Sequence, residues 1–281
     1  MTMLKTIRTA VAVLTLAVIC LLFLGGKTIA PHLAVLAKAQ IVPALLAGSL
    51  AVVAGVVITT LLFGRLYCSV LCPLGLFQDA VSHFGKKNRF RFSKGKTALR
   101  LAVLVVFAGS ILLGVPVIYG LLEPYSAFGR IAALGVPAWR AGTGAAMEMA
   151  GQGVSVSPVW FKGLAAGVSA LITLAVIAVL AWKGGRTWCN TLCPVGTALG
   201  FLSTFSLLKP RIDGEACVRC GLCARQCKSS CIKADTLEID ASRCVSCFNC
   251  LQACRKKAIA YGLPDFHHKP SHSDGQSEFG R

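Results

Sequence analysis

Eight of the 14 cysteines fall into two runs of identical spacing. Cys217, Cys220, Cys223 and Cys227 read C-x2-C-x2-C-x3-C, and Cys244, Cys247, Cys250 and Cys254 repeat the pattern 27 residues later. A [4Fe-4S] cubane takes one thiolate on each iron. In a two-cluster arrangement three closely spaced cysteines wrap one cluster, and the fourth reaches across to the other. This assigns Cys217, Cys220, Cys223 and Cys254 to cluster 1, and Cys244, Cys247, Cys250 and Cys227 to cluster 2. Structural zinc would favour separated C-x2-C pairs over a run of three plus one. Two features depart from the common pattern. Lys228 and Arg255 stand where a proline usually follows the fourth cysteine, and an extra thiol, Cys231, lies four residues after Cys227. Cys231 is expected to pack beside the cluster as a small apolar thiol; its exchange for Cys227 is the alternative. Lys228, Arg255, Lys256 and Lys257 give this region a basic surface. Such a surface suits an acidic redox partner or anionic lipid, or is simply solvated.

Four further cysteines lie in a second kind of motif. Residues 64–75 and 185–196 both read G-R-x-aromatic-C-x-x-L-C-P-x-G, an internal repeat at an offset of 121 residues. The match continues weakly to Ser82/Ser203 and Phe84/Phe205. Within a helix, cysteines at i and i+4 share one face. A pseudo-twofold axis would then bring Cys68, Cys72, Cys189 and Cys193 together. Four such thiols could hold a third metal centre or form a dithiol relay, with Arg65 and Arg186 one turn earlier favouring thiolates. The alternative is plain packing where helices turn at the membrane surface. Cys20, alone in an apolar run, is expected to pack.

These residues have to be positioned by a chain that is 55% hydrophobic and only 14% charged. Soluble domains carry about 25% charged residues, so the composition points to a membrane protein. Four apolar stretches, 9–26, 41–63, 98–122 and 163–182, approach the roughly 20 residues a helix needs to cross a bilayer. Lys5 and Arg8 precede the first, as in a signal peptide, but no small-residue cleavage site closes it, so a retained helix is expected. The expected fold is therefore all-α in the membrane: four transmembrane helices as two repeated hairpins in residues 1–208. A small α+β 2[4Fe-4S] ferredoxin-like domain follows in 209–263, then a polar, disordered tail in 264–281. That tail contains His267, His268 and His272, read as solvated. The runs after each motif proline, 74–84 and 195–208, are expected to be helices near the inner interface.

The formal net charge of +18 would suggest nucleic acid in a soluble protein. Here the basic residues flank apolar runs and read as topology signals and anionic-lipid contacts; no nucleic-acid partner is expected. Residues 64–100 carry Arg65, Lys86, Lys87, Arg89, Arg91, Lys94, Lys96 and Arg100. The positive-inside rule places this loop and both termini in the cytoplasm, the reducing side that metal-ligating thiolates require. The expected location is a bacterial inner membrane, crossed several times. There is no C-x2-C-H motif and the four apolar stretches contain no histidine, so covalent haem and bis-His haem within them are excluded.

The paired G-R-x-[YW]-C-x3-C-P-x-G motifs, the apolar spans and the eight-cysteine end resemble the NapH-type membrane ferredoxins, quinol dehydrogenase subunits of periplasmic nitrate reductase systems. The same core is similar to that of NosR regulators and CcoG copper reductases. The extracytoplasmic flavin domain of the former and the extra C-terminal domain of the latter have no counterpart in this sequence. The resemblance covers roughly 41–261. It implies a quinol dehydrogenase component of a multi-subunit chain: quinol from the membrane pool is oxidised near the inner ends of the helices, and electrons pass through the clusters to a redox partner subunit such as a reductase. A copper-reducing assembly factor for a metalloenzyme such as an oxidase, with the C-x3-C-P thiols receiving copper, is the alternative.

Overall fold

The computed structural model describes residues 2–24, 38–85, 90, 92–135 and 164–263. The fold begins with α1 (Thr2–Leu24), an apolar run without glycine or proline. A second long helix, α9, spans Leu164–Gly184. Among the described residues these are the two helices long and apolar enough to cross a bilayer, and most of each is not buried by protein. Leu14 is 65% exposed and Ile172 58%, which is costly in water and natural against lipid.

The other two expected spans are each interrupted, which corrects the picture of four continuous helices. The stretch 41–63 divides into α2 (Ile41–Leu46) and α3 (Leu50–Phe63). Gly48, at φ +69°, turns the chain between them, a left-handed conformation that glycine adopts at no steric cost. The stretch 98–122 divides into α6 (Thr97–Leu112) and α7 (Pro116–Leu122) around Gly114 at φ +67°. Pro116 sits in the first turn of α7, where its missing N–H is harmless.

After α7 the chain turns back onto the helices. Helix α8 (Pro124–Ala133) packs back against α1, against α5 (Pro73–Phe84) and against α9. Glu123 caps it, accepting from the backbone N–H of Tyr125 at 3.2 Å and of Ser126 at 2.6 Å. Phe128 meets Phe77 of α5 and Phe23 of α1 edge-on, at centroid distances of 6.4 and 6.0 Å. With Ile19, Leu74 and Ile177 these rings belong to one hydrophobic core, and half-buried Cys20 packs against it. The first of the two runs expected to be helical after a motif proline, 74–84, thus forms a helix.

The second repeat continues from α9 through α10 (Thr187–Thr191) into α11 (Pro194–Ser203). Beyond it, β1 (Lys209–Ile212) pairs antiparallel with β4 (Ile259–Gly262), Lys209 opposite Gly262. A smaller ribbon joins β2 (Ile232–Lys233) to β3 (Glu238–Ile239). The short helices α12 (Leu222–Arg225) and α13 (Asn249–Ala253) complete the cysteine-rich unit. This unit is anchored on the end of α3. Leu207 and Leu208 donate to the carbonyls of Leu61 and Leu62 at 2.8 and 2.9 Å, and Ser246 and Tyr261 donate to that of Phe63 at 3.1 and 2.8 Å. The last carbonyls of a helix have no partner within it, so the docked unit supplies theirs. The tail 264–281 with its histidines, and Lys86, Lys87, Arg89 and Arg91, lie outside the described residues.

Candidate iron-sulfur centres

The two cysteine runs carry the same backbone. Left-handed residues recur at 27-residue intervals: Arg219 and Ser246, Gly221 and Phe248, Ser230 and Lys257. Non-glycine residues occupy this region at a cost. Here the conformation curls each C-x2-C segment so that its thiols face one space. Cys217, Cys220, Cys223 and Cys254 wall a cavity of about 240 Å³ together with Ile212, Leu222 and Ile259. Cys227, Cys244, Cys247 and Cys250 line a second, tighter space backed by Ile232, Phe248 and Leu251. Each run's fourth cysteine therefore sits with the other run's first three. Thiols converging on an apolar chamber suit a [4Fe-4S] cluster in both places.

Cys231 is not merely packed. It is buried, and its sulfur lies 3.4 Å from that of Cys227. Hydrogen bonding from Cys231 lowers the Cys227 thiol to about 6 against the burial that would raise it, and it lowers Cys244 likewise. The same two contacts push the Cys231 thiol up well above its ordinary value, so Cys231 is held against the sulfurs of Cys227 and Cys244, two of the cysteines expected to ligate cluster 2. Hydrogen bonds to the sulfurs help set a cluster's potential. Cys231→Ala is expected to keep the iron content and lower the midpoint potential of cluster 2, read by redox titration with EPR. Loss of a whole cluster would instead make Cys231 a ligand.

The C-x3-C-P cysteines do not share one helical face. Cys68 lies in α4 (Tyr67–Val70), the helix ends at Leu71, and Cys72 is the N-cap of α5; Cys189 and Cys193 repeat this on α10 and α11. All four are buried. Burial, then Cys189 and Cys68, push the Cys72 thiol up; burial, then Cys189, Cys72 and Cys68, push up Cys193. The four thus lie within one another's electrostatic reach. Gln78 donates to the Cys189 sulfur at 3.1 Å, and the Gly196 N–H to the Cys193 sulfur at 3.3 Å. Among the described residues no three His, Cys, Asp or Glu side chains close around a point as a single metal ion requires.

The two repeats complete each other. Arg65 of the first donates to the carbonyl of Cys189 at 3.3 Å, and Arg186 of the second donates to the carbonyl of Cys68. A Cβ on Gly75 would lie 2.4 Å from the Cys68 oxygen, and one on Gly196 2.2 Å from the Cys189 oxygen, so neither glycine can be replaced without moving backbone. The exchange is unequal in one respect. Arg186 is held by Asp79 through two 2.8 Å bonds, and Asp79 also meets Arg8 at 2.8 Å and Lys228 at 3.6 Å. Burial raises the Asp79 carboxyl, but Arg186, Lys228 and Arg8 outweigh it and hold it well below the usual carboxylate range.

At the position equivalent to Asp79 the second repeat has Gly200, and a Cβ there would lie 2.5 Å from the Ser242 carbonyl oxygen. Arg65 bonds that carbonyl at 3.1 Å and Asn190 Oδ1 at 2.9 Å. Among the described residues neither Arg65 nor its neighbours Arg100 and Arg243 pairs with a carboxylate; each of the three salt bridges uses Asp79. Buried cations without acids suit anionic clusters, and Arg65 favours thiolate at both Cys189 and Cys244. Asp79, Gln78 and Glu123 were not foreseen as site residues. One signal marks two of them: before Asp213 the only acidic residues are Asp79, Glu123 and Glu148.

The family model described as "4Fe-4S binding domain" matches twice, at residues 45–91 and 166–212. The copies are 121 residues apart, the offset of the motif, and each contains one C-x3-C-P pair. This is an iron-sulfur protein. Its relatives include NapH, a ferredoxin-type protein of Escherichia coli (strain K12), 26% identical over 62% of this chain and 52% of NapH. MauN, a methylamine utilization ferredoxin-type protein of Paracoccus denitrificans (strain Pd 1222), is 27% identical over 58% of this chain and 48% of its own. YccM of Escherichia coli (strain K12), named as a candidate electron transport protein, is 25% identical over 66% of this chain and 48% of its own. The resemblance to NapH-type proteins is borne out. The chain spans about half the length of these curated relatives. No solved structure matches it.

Proposed function

We propose that this chain is a membrane-embedded iron-sulfur electron carrier that oxidises quinol and delivers the electrons to a respiratory reductase partner. One observation carries the reading: four buried thiols at the ends of apolar helices are joined, through Arg65, to a unit with two further sets of four. Clusters bound there supply one-electron carriers, which split the two electrons of a quinol. The chain's own residues do the rest. Arg65 and Arg186 fix the backbone at Cys189 and Cys68, Gln78 orients the Cys189 sulfur, and the apolar core keeps water from the thiols. Arg65 spans the gap between Cys189 and the Ser242 carbonyl beside Cys244, so the four thiols stand between the membrane and cluster 2. Oxidation of quinol to quinone releases two protons with the two electrons, and both must leave the membrane face. The names of YccM and NapH fit such a carrier role. The reading is tested by adding menaquinol or ubiquinol anaerobically to purified protein. The broad iron-sulfur absorbance should bleach. If neither quinol reduces the clusters, and the reduced clusters do not reduce a quinone, the reading fails.

A further inference from the structure

A cleft of about 570 Å³ opens where the cysteine-rich unit meets the ends of α6 and α9. Its polar wall includes Lys94, Lys96, Lys183, Arg243, Thr187 and Ser229, and among the described residues no acidic one lines it. Toward the membrane helices the wall is apolar, with Leu99 and Leu180. Arg243 is 4% exposed; it donates to the Ser93 carbonyl, to Ser93 Oγ at 3.0 Å and to the Ser229 carbonyl at 3.1 Å. Its Nε, and the hydroxyl of Ser229, also buried, have no partner among the described residues. Lys96 is the N-cap of α6 but makes no side-chain cap, and no acid lies in that helix's first turn. Free N–H groups at a helix start favour an anion. The carbonyl end of α9 also faces the cleft through Gly184, and Lys183 offsets it.

Among the described residues, four cations without an acid, an unpartnered nitrogen on the buried Arg243 and an uncapped helix start call for a ligand rich in anionic oxygen. The adjoining leucines call for something apolar attached to it. We infer that the cleft binds the phosphate of an anionic phospholipid headgroup, with an acyl chain lying along Leu99 and Leu180. Neutral quinol fits less well, since among the described residues the cleft offers no carboxylate or histidine to take its protons. Ser229 lies between Cys227 and Cys231, so the phosphate would sit beside cluster 2. A negative charge there favours the oxidised cluster and lowers its potential.

The test uses the full chain purified in detergent. Lys94, Lys96 and Lys183 are exposed, so the triple variant Lys94→Gln/Lys96→Gln/Lys183→Gln should fold. Bound phosphatidylglycerol is counted by native mass spectrometry, with phosphatidylcholine as the comparison lipid. The parent should retain about one phosphatidylglycerol, and the variant should bind it about tenfold or more weakly. In a second arm, phosphatidylglycerol should lower the midpoint potential of cluster 2 in the parent and not in the variant. Inorganic phosphate is added alone in a third arm. If it binds as tightly as the lipid, the phosphate chemistry stands and the source is soluble. Equal retention of both lipids, equal binding by parent and variant, or displacement of the lipid by a quinone would overturn the proposal. The lipid count does not depend on cluster loading, so it can fail while the electron-carrier reading stands, and the reverse.

Discussion

Cys68→Ser is expected to reduce the iron content of the purified protein from about twelve atoms per chain to about eight, the loss of one of three cubanes. Cys68 is buried, its carbonyl is held by Arg186, and its sulfur shares electrostatic reach with Cys72, Cys189 and Cys193. Serine preserves volume but is a poor soft-metal ligand. If these thiols stand between quinol and the eight-cysteine unit, the variant should no longer bleach with quinol, while dithionite still reduces clusters 1 and 2. Iron analysis and anaerobic spectroscopy measure both effects. A parent with about eight irons and a thiol pair that oxidises reversibly would make the motif a dithiol relay instead. Stoichiometric copper on the four cysteines would move the chain to the copper-handling class.

Asp79→Ala should be the most damaging substitution outside the cysteines. It would leave Arg8, Arg186 and Lys228 around one buried point with no counter-charge. Breaking a buried ion pair from one side costs about 3–5 kcal/mol, enough to deplete the folded protein in the membrane. Thermal unfolding in detergent, followed by cluster absorbance, should show a large drop in midpoint. A variant that accumulates and melts like the parent would sink the assignment. The pH dependence follows from the depressed carboxyl. Its stabilisation is complete above the unfolded value of about 4 and fades only as pH falls below it toward the native value. Near-neutral changes in pH should therefore leave this contribution intact.

The cysteine patterns were legible because cluster ligation is local: spacing alone sorts the thiols into two groups, and those groups line two separate spaces in the cysteine-rich unit. The repeat was legible for the same reason, since twelve consecutive positions align without gaps. The interrupted spans were less so. Hydropathy runs smoothly through Gly48-Ser49 and Gly114-Val115-Pro116, and only the glycine and proline signals within them betray the turns. Helix α8 lies outside the four apolar stretches, and its polar residues Glu123 and Arg130 serve its cap and the carbonyls of Gly120 and Leu121. Two features could not be read from neighbours in the chain. The Asp79 node joins residues from 71 to 149 positions apart, and the hydrogen bonding of Cys231 to Cys244 depends on how two segments fold onto each other.

The swap of Arg65 and Arg186 between motifs has a bearing on ancestry. A contact in which each half supplies what the other lacks is the signature of an isologous interface between identical subunits. A single hairpin bearing one G-R-x-aromatic-C-x3-C-P-x-G segment could have paired with its own copy, placing four thiols around a true dyad. Such a dimer would present two identical faces and no preferred exit for an electron. Fusion of the copies freed them to diverge. One kept a carboxylate, Asp79, to hold its partner's arginine. The other, with Gly200, opened a slot that the Ser242 backbone fills. The carboxylate at one position and the bare backbone at its counterpart set the two halves apart, and the cysteine-rich unit docks at the bare one.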